Sequence, residues 1–338
     1  MIEPQTKQLQ AGTSLSQEVM TDVINLMMAG SCPDDEIGAF LLALREKGET
    51  VPEIVGAALA LRQHMTPIRT KYTELVDTCG PGGVSSKLFN VSTSAAIVTA
   101  AAGVPVAKHG NRSITSRSGS ADVLAALGVN MAASVPQVER CLNELGIGFC
   151  FAPSMHPAMK HVSAVRKKLG VRTIFNILGP LCNPAGAPYQ LMGVGDARLR
   201  PLMAEALAQL GTRRALVVRG EDGLGELTLS GPSQVTVVEG TSRREQSWRP
   251  GDAGLAESAL TSLEIASAEE SAVIVRRVLN DEAGPARDIV VYNAAAAISL
   301  ARPQQTLRAC AEQAREAIRT GATRELLAKL VALSHEPA

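Results

Sequence analysis

The sequence predicts an α/β protein in which a mainly parallel sheet with helices is accompanied by a small all-helical domain. Three observations carry this expectation. The first 65 residues show helical periodicity and helix-start signals but no strand candidate. From Thr73 onward, short β-rich runs alternate with helical stretches, the pattern of βα units. From Ser267 the chain reads as helix again.

Taken in order, Ser16 is a capping candidate ahead of an amphipathic stretch carrying Val23, Ile24, Leu26 and Met27. A second helix is expected over Asp34–Glu46. Thr50 and Glu53 have capping-box spacing in front of a third helix running through Leu61. Strands are expected at Leu75–Thr78, Val104–Lys108, Gly148–Ala152, Gln190–Val194, Ala215–Arg219 and Leu227–Leu229, with helices between several of them, as at Leu199–Leu210. The closing helices are expected over Ser267–Leu279, Asp288–Leu300, Thr306–Ile318 and Glu325–Leu333, and Gly240–Gly254 reads as a surface loop. The natural division is a helical domain over residues 1–70 and an α/β domain over residues 71–338.

Composition narrows the function. Of 338 residues, 46% are apolar and 20% charged, a globular balance. The 33 basic and 33 acidic residues cancel, which argues against a surface built mainly for nucleic acid. Six cysteines without a CxxC pair read as free thiols of a reducing compartment. The polar N-terminus MIEPQTKQLQ carries no signal core, and no apolar run reaches the roughly 18 residues of a membrane span, so a cytoplasmic protein is expected.

The segment from Asp77 to Asp122 concentrates three ways of holding phosphate oxygens. The turn GPGGV, Gly80 to Val84, lies between an expected strand and a helix. Glycines there let backbone N–H groups approach an anion, and the helix adds its positive end. Alone, such a turn is more often only a tight turn. Asn90, Ser92 and Thr93 fall where the next helix begins; they are good capping residues, but three of them exceed what one cap requires. The loop KHGNRSITSRSGS, Lys108 to Ser120, follows a second strand and combines Lys108, His109, Arg112 and Arg117 with five hydroxyls. Dispersed donors around a cation suit a pyrophosphate, and strand C-termini are where open α/β sheets place ligands. Together these features point to an enzyme handling a phosphorylated sugar.

The run FNVST, AKHGNRS and SGSADVL, continued by HPAMKHVSAVRKKLGVRTIFNILGPLCNP (His156 to Pro184) and EDGLGEL (Glu221 to Leu227), resembles the anthranilate phosphoribosyltransferase family. The resemblance implies a helical domain completed by residues 156–184, and a homodimer formed through it. It implies transfer of phosphoribosyl from phosphoribosyl pyrophosphate to the amino nitrogen of anthranilate, within tryptophan biosynthesis, with Mg2+ supporting the departing pyrophosphate. On this chain the sugar pyrophosphate would be held by Gly80, Gly83, Asn90, Val91, Ser92 and Thr93, and by Lys108, Asn111, Arg112, Ser113, Ser116 and Ser120. Asn111 and Arg166 would hold anthranilate, Arg166 facing its carboxylate, while His109, His156 and Gly179 line its path. Ser92 and Glu226 would bear on the metal. Where the family usually has GTGGD, this chain has Pro81 and Val84; a family Thr is replaced by Leu88, and an Asp-Glu pair is Gly225-Glu226. The metal end therefore lacks two carboxylates and two hydroxyls, and Asp222 is the nearby candidate to replace one of them. Two further readings are a phosphorylase-like enzyme, suggested by the likeness of GGVSSK to pyrimidine nucleoside phosphorylases, and a non-catalytic nucleic-acid-binding relative.

Overall fold

The computed structural model describes residues 1–80, 87–113 and 117–337; Pro81, Gly83, Val84 and Ser116, all singled out above, lie outside the described residues. One sheet organises the chain. Its strands are β1 (Val76–Cys79), β2 (Val106–Gly110), β3 (Ile147–Phe151), β4 (Tyr189–Gly193), β5 (Arg214–Gly220), β6 (Ser233–Glu239) and β7 (Ser242–Trp248). They lie in the order β3-β2-β1-β4-β5-β6-β7. Strands β1 to β5 run parallel, and β6 and β7 pair antiparallel at one edge. The chain builds outward from β1 to β3 and then returns to β1's other side with β4. That reversal opens a crevice at the carboxyl ends of β1 and β4, where ligands of such sheets bind.

Five of the expected strands form, with bounds shifted by one or two residues. Leu227–Leu229 does not. Side chains take up the backbone of Leu227 and Thr228: Asn293 Oδ1 accepts from the Leu227 N–H (3.0 Å), Asn293 Nδ2 donates to the Leu227 carbonyl (3.0 Å), and Ser233 Oγ accepts from the Thr228 N–H (3.0 Å). The expected loop Gly240–Gly254 is also corrected, because seven of its fifteen residues, Ser242–Trp248, form β7. Six of the seven residues of SRREQSW are exposed, so this edge strand carries no apolar alternation to read. It is joined to β6 through Gly240, which takes φ +56°, the conformation a tight hairpin turn needs.

The helices follow their caps. Ser16 accepts from the Val19 N–H at the head of Gln17–Met28, and Thr50 with Glu53 forms the capping box of Val51–Gln63. Helices Val91–Ala101, Ala268–Leu279, Pro285–Ala301 and Leu307–Arg319 cover one face of the sheet, sharing a core with Val76, Leu191, Leu216 and Val218. The opposite face, through Met192, Ala215 and Val217, joins helix Leu199–Gln209 and the N-terminal helices in a second core. Alternation along β4 and β5 thus serves both cores. Residues Ile174, Phe175, Leu178 and Leu181 belong to the second core, beside Met20, Ile24 and Phe40. Helix Lys160–Leu169 packs on helices Gln17–Met28 and Asp34–Lys47. All six cysteines are free. Among the described residues no helix is long and apolar enough to cross a membrane.

One buried ion pair ties the N-terminal helices together. Glu53 is fully buried and Lys47 nearly so, 2.9 Å apart. The carboxylate also accepts from the N–H groups of Leu15 (2.9 Å) and Thr50 (2.8 Å) and from Thr50 Oγ1 (2.8 Å). Removing it leaves a buried ammonium and an open helix start. Glu53→Ala is expected to destabilise the protein by about 3–5 kcal/mol. Urea unfolding followed by circular dichroism checks this, and an unchanged midpoint would show that the pair carries no weight.

Candidate active site

The cavity at the switch between β1 and β4 measures about 640 Å³. Its floor is backbone. A Cβ on Gly80 would collide with the carbonyl of Gly193, and one on Gly193 with the carbonyl of Gly225, so three chain segments meet here with no room for side chains.

At one end stands the N-terminus of helix Val91–Ala101. Asn90 caps it, its Oδ1 accepting from the Thr93 N–H (3.0 Å), and Ser92 Oγ lies 3.4 Å from the same oxygen. This presents a helix's positive end to the cavity together with side-chain donors. Asn90, Val91 and Ser92 line it. Thr93 does not: its side chain turns inward, is 1% exposed, and its hydroxyl has no partner. Successive helical residues are rotated by about 100°, which separates Thr93 from Ser92.

Beneath that helix end lies Lys108, 4% exposed. Its Nζ donates to the Thr78 carbonyl (2.5 Å) and reaches Ser92 Oγ (3.5 Å). Burial pushes its pKa down, while Asp77, Cys79 and Glu226 pull it up. Asp77, fully buried on β1, accepts from the His109 N–H (3.1 Å) in place of a ladder carbonyl. The side chains of Asp77 and Lys108 thus sit where β1 and β2 would otherwise continue pairing. Sequence reading missed Asp77; a carboxylate inside a β-rich run, between Val76 and Thr78, is the only trace it leaves.

Across the cavity is Glu226. Burial raises its carboxyl to about 7, and the nearby Lys108 opposes the rise. It is the one carboxylate among the described residues lining the cavity. Gly225 and Leu88, the two substituted positions among the described residues, line it too, so neither offers the side-chain oxygen that the resemblance implies. Asp222 is engaged elsewhere. It is absent from the lining, and its carboxylate accepts from the Leu224 N–H (3.0 Å), Thr228 Oγ1 (2.6 Å) and Ser230 Oγ (2.6 Å).

The loop after β2 is organised by a residue that sequence reading overlooked. Asp122 accepts from the N–H groups of Ser113 (2.9 Å) and Gly119 (3.0 Å) and pairs with Arg112 (3.1 Å). Asn111, Arg112, Ser113 and Ser120 all line the cavity, with Arg112 already engaged by that carboxylate. Arg117 is held by the Ile265 carbonyl (2.5 Å).

The far end differs in chemistry. Arg166 lies 5.4 Å from the centroid of Phe175 and is half-buried, with no carboxylate partner among the described residues. Burial lowers its pKa, yet a guanidinium stays charged. His109 and His156 face each other at 3.2 Å between their Nε2 atoms. Burial holds them at about 3 and about 4, so both are neutral near pH 7. The Gly179 carbonyl, 3.1 Å from His109 Nδ1, can only accept, so neutral His109 carries its proton there. One guanidinium among neutral rings suits a flat aromatic acid.

A hard cation wants oxygen ligands, and Mg2+ is commonly held by one or two carboxylates plus substrate phosphates. Among the described residues there is no cluster of three or more His, Cys, Asp or Glu side chains fit to hold a metal alone. Glu226 and Ser92 fit an ion that arrives with pyrophosphate oxygens.

The chain matches the family model described as glycosyl transferase family, helical bundle domain, over residues 5–65, and that of the a/b domain over residues 72–324. An anthranilate phosphoribosyltransferase from Moorella thermoacetica is 46% identical over 98% of both chains. One from Anaeromyxobacter dehalogenans is 47% identical over 100% of both. The crystal structure of anthranilate phosphoribosyltransferase (TrpD) from Thermus thermophilus superposes with a TM-score of 0.92 at 41% identity, covering 98% of this chain and 99% of that one. The enzyme from Saccharomyces cerevisiae, in complex with PRPP and Mg, gives 0.89 at 28% identity over 97% and 96%. Identity at this level along the whole length, over both the helical bundle and the α/β body, places the chain in the anthranilate phosphoribosyltransferase family.

Proposed function

We propose that this chain transfers the phosphoribosyl group from phosphoribosyl pyrophosphate to the amino nitrogen of anthranilate, releasing pyrophosphate, in tryptophan biosynthesis. The observation that carries this reading is one cavity with two chemistries. A buried cation, a helix N-terminus and a lone carboxylate stand at one end, and a guanidinium beside two neutral histidines stands at the other. Full-length identity to transferases favours this reading over the phosphorylase-like and nucleic-acid-binding ones.

In this reading Gly80, Asn90, Val91, Ser92, Lys108, Arg112, Ser113 and Ser120 hold the sugar pyrophosphate. Arg166 takes the acceptor's carboxylate, Asn111 its polar edge, and His109, His156 and Gly179 its path. Both histidines being neutral, neither presents the acceptor's amine with a charge that would draw off its lone pair. The nitrogen–carbon bond forms as the bond from the anomeric carbon to the pyrophosphate oxygen breaks, and the amine's proton passes to water or to the released pyrophosphate. Glu226 and Ser92 would hold Mg2+ together with phosphate oxygens, and the ion would neutralise charge on the leaving group. Lys108 supports the same charge from below, and the protein's contribution is mainly positioning. The helical unit, completed by residues 156–184 and carrying the exposed Leu26, is the surface through which two copies pair in the cytoplasm.

Loss of anthranilate fluorescence on mixing with phosphoribosyl pyrophosphate tests the reaction. The loss is expected, with half-maximal rate at higher Mg2+ than in relatives keeping the Asp-Glu pair, since Gly225 offers no carboxylate. No loss at any Mg2+ concentration would sink the transferase reading.

Arg166→Ala is expected to raise KM for anthranilate, a loss of roughly 2–5 kcal/mol for a carboxylate deprived of its cation, while affinity for phosphoribosyl pyrophosphate barely changes. Unaltered anthranilate kinetics would remove Arg166 from the acceptor site.

A further inference from the structure

Helix Pro285–Ala301 is apolar through its buried middle, VVYNAAAAI, except at Asn293 and the hydroxyl of Tyr292. Asn293 is completely buried. An amide placed there is unfavourable unless it is bonded. Three of its four hydrogen-bonding positions are filled: Oδ1 accepts from the Leu227 N–H (3.0 Å), and Nδ2 donates to the carbonyls of Leu227 (3.0 Å) and Ile289 (2.9 Å). The side chain grips both polar groups of one residue, as a neighbouring strand would. That residue follows Glu226 directly. The same helix packs against Val91–Ala101, whose N-terminus presents Asn90 and Ser92. One rigid element therefore stands behind both sides of the anion-binding end. Asp222 closes the segment only on itself, through Leu224, Thr228 and Ser230.

We propose that Asn293 is a positioning residue whose two-point grip on Leu227 fixes the Glu226 carboxylate relative to Ser92, so that both reach an Mg2+ ion arriving with pyrophosphate oxygens. The inference rests on the metal-facing role of Glu226. Residues that orient a ligand from behind typically change metal affinity by about 10- to 100-fold.

The test uses Asn293→Asp, which keeps the acceptor and loses both donors, and Asn293→Ser, which cannot span to Leu227. Titration calorimetry measures phosphoribosyl pyrophosphate binding with and without Mg2+, and anthranilate binding. Each variant is expected to weaken binding about tenfold or more with Mg2+, and to leave Mg2+-free and anthranilate binding nearly unchanged. In a Glu226→Gln background, the Asn293 variants are expected to add nothing further. Equal losses with and without Mg2+, or losses that simply multiply with those of Glu226→Gln, would overturn the proposal and leave Asn293 a general fold residue. If Glu226→Gln alone has no Mg2+-dependent effect, the metal role of Glu226 fails, and the inference with it. If Glu226→Gln weakens binding but the Asn293 variants do not, only the inference fails. Should neither Asn293 variant fold, amide hydrogen exchange on the unaltered protein decides. The grip predicts that the Leu227 N–H exchanges as slowly as those of β5, and rapid exchange there overturns it.

Discussion

The site depends on one buried cation. Lys108 sits under the N-terminus of a helix, among Asp77, Cys79 and Glu226, with a backbone carbonyl and a serine hydroxyl as its direct partners. An ammonium in that position is costly unless anions surround it. The arrangement answers this in two ways. Asp77 is inserted between β1 and β2, where it also holds the His109 backbone, and the cavity above is left ready for a multiply charged ligand. Opening the strands for Lys108 and Asp77 also orients the next residue, His109, toward Gly179 and His156. The anion end and the acceptor end of the cavity are therefore coupled through two consecutive residues of β2.

The substitutions at Gly225 and Leu88 leave one carboxylate, Glu226, among the described residues lining the cavity. Gly225 brings only backbone where the resemblance implies a carboxylate, and the apolar Leu88 lines the same cavity. Glu226 is left alone, half-buried and close to its own protonation midpoint at pH 7. In the proposed reading, Lys108 would then carry a larger share of the leaving group's charge than where two carboxylates assemble a metal site. The acceptor end keeps the residues the family resemblance implies.

Much of this was legible in the sequence because it is local. Ser16, the Thr50–Glu53 box and the Asn90 cap were readable from spacing, and the parallel strands from apolar runs between helices. The candidate residues Asn90, Ser92, Lys108, His109, Asn111, His156, Arg166, Gly179 and Glu226 do line one cavity. What escaped was set by distant partners or by faces without pattern. Leu227–Leu229 has strand composition, but a side chain from a distant helix occupies its backbone. The exposed β7 has no buried face to advertise it. Thr93 lies beside Ser92 in sequence yet turns into the core, and Asp222 spends its oxygens on its own loop. Asp77 and Asp122 act through backbone N–H groups, which no residue-type pattern reveals.

The most direct test of this electrostatic account is proton counting at Glu226. Phosphoribosyl pyrophosphate with Mg2+ is titrated into the protein near pH 7 in two buffers of different ionisation enthalpy, and the same is done with Glu226→Gln. A carboxyl raised to about 7 is part protonated in the free protein and must ionise to meet the ion. The unaltered protein should therefore release about half a proton more than the variant at pH 7, the difference vanishing by about pH 9. Its affinity should also rise with pH through 7 more steeply than that of the variant. Equal proton release by the two proteins would contradict the account.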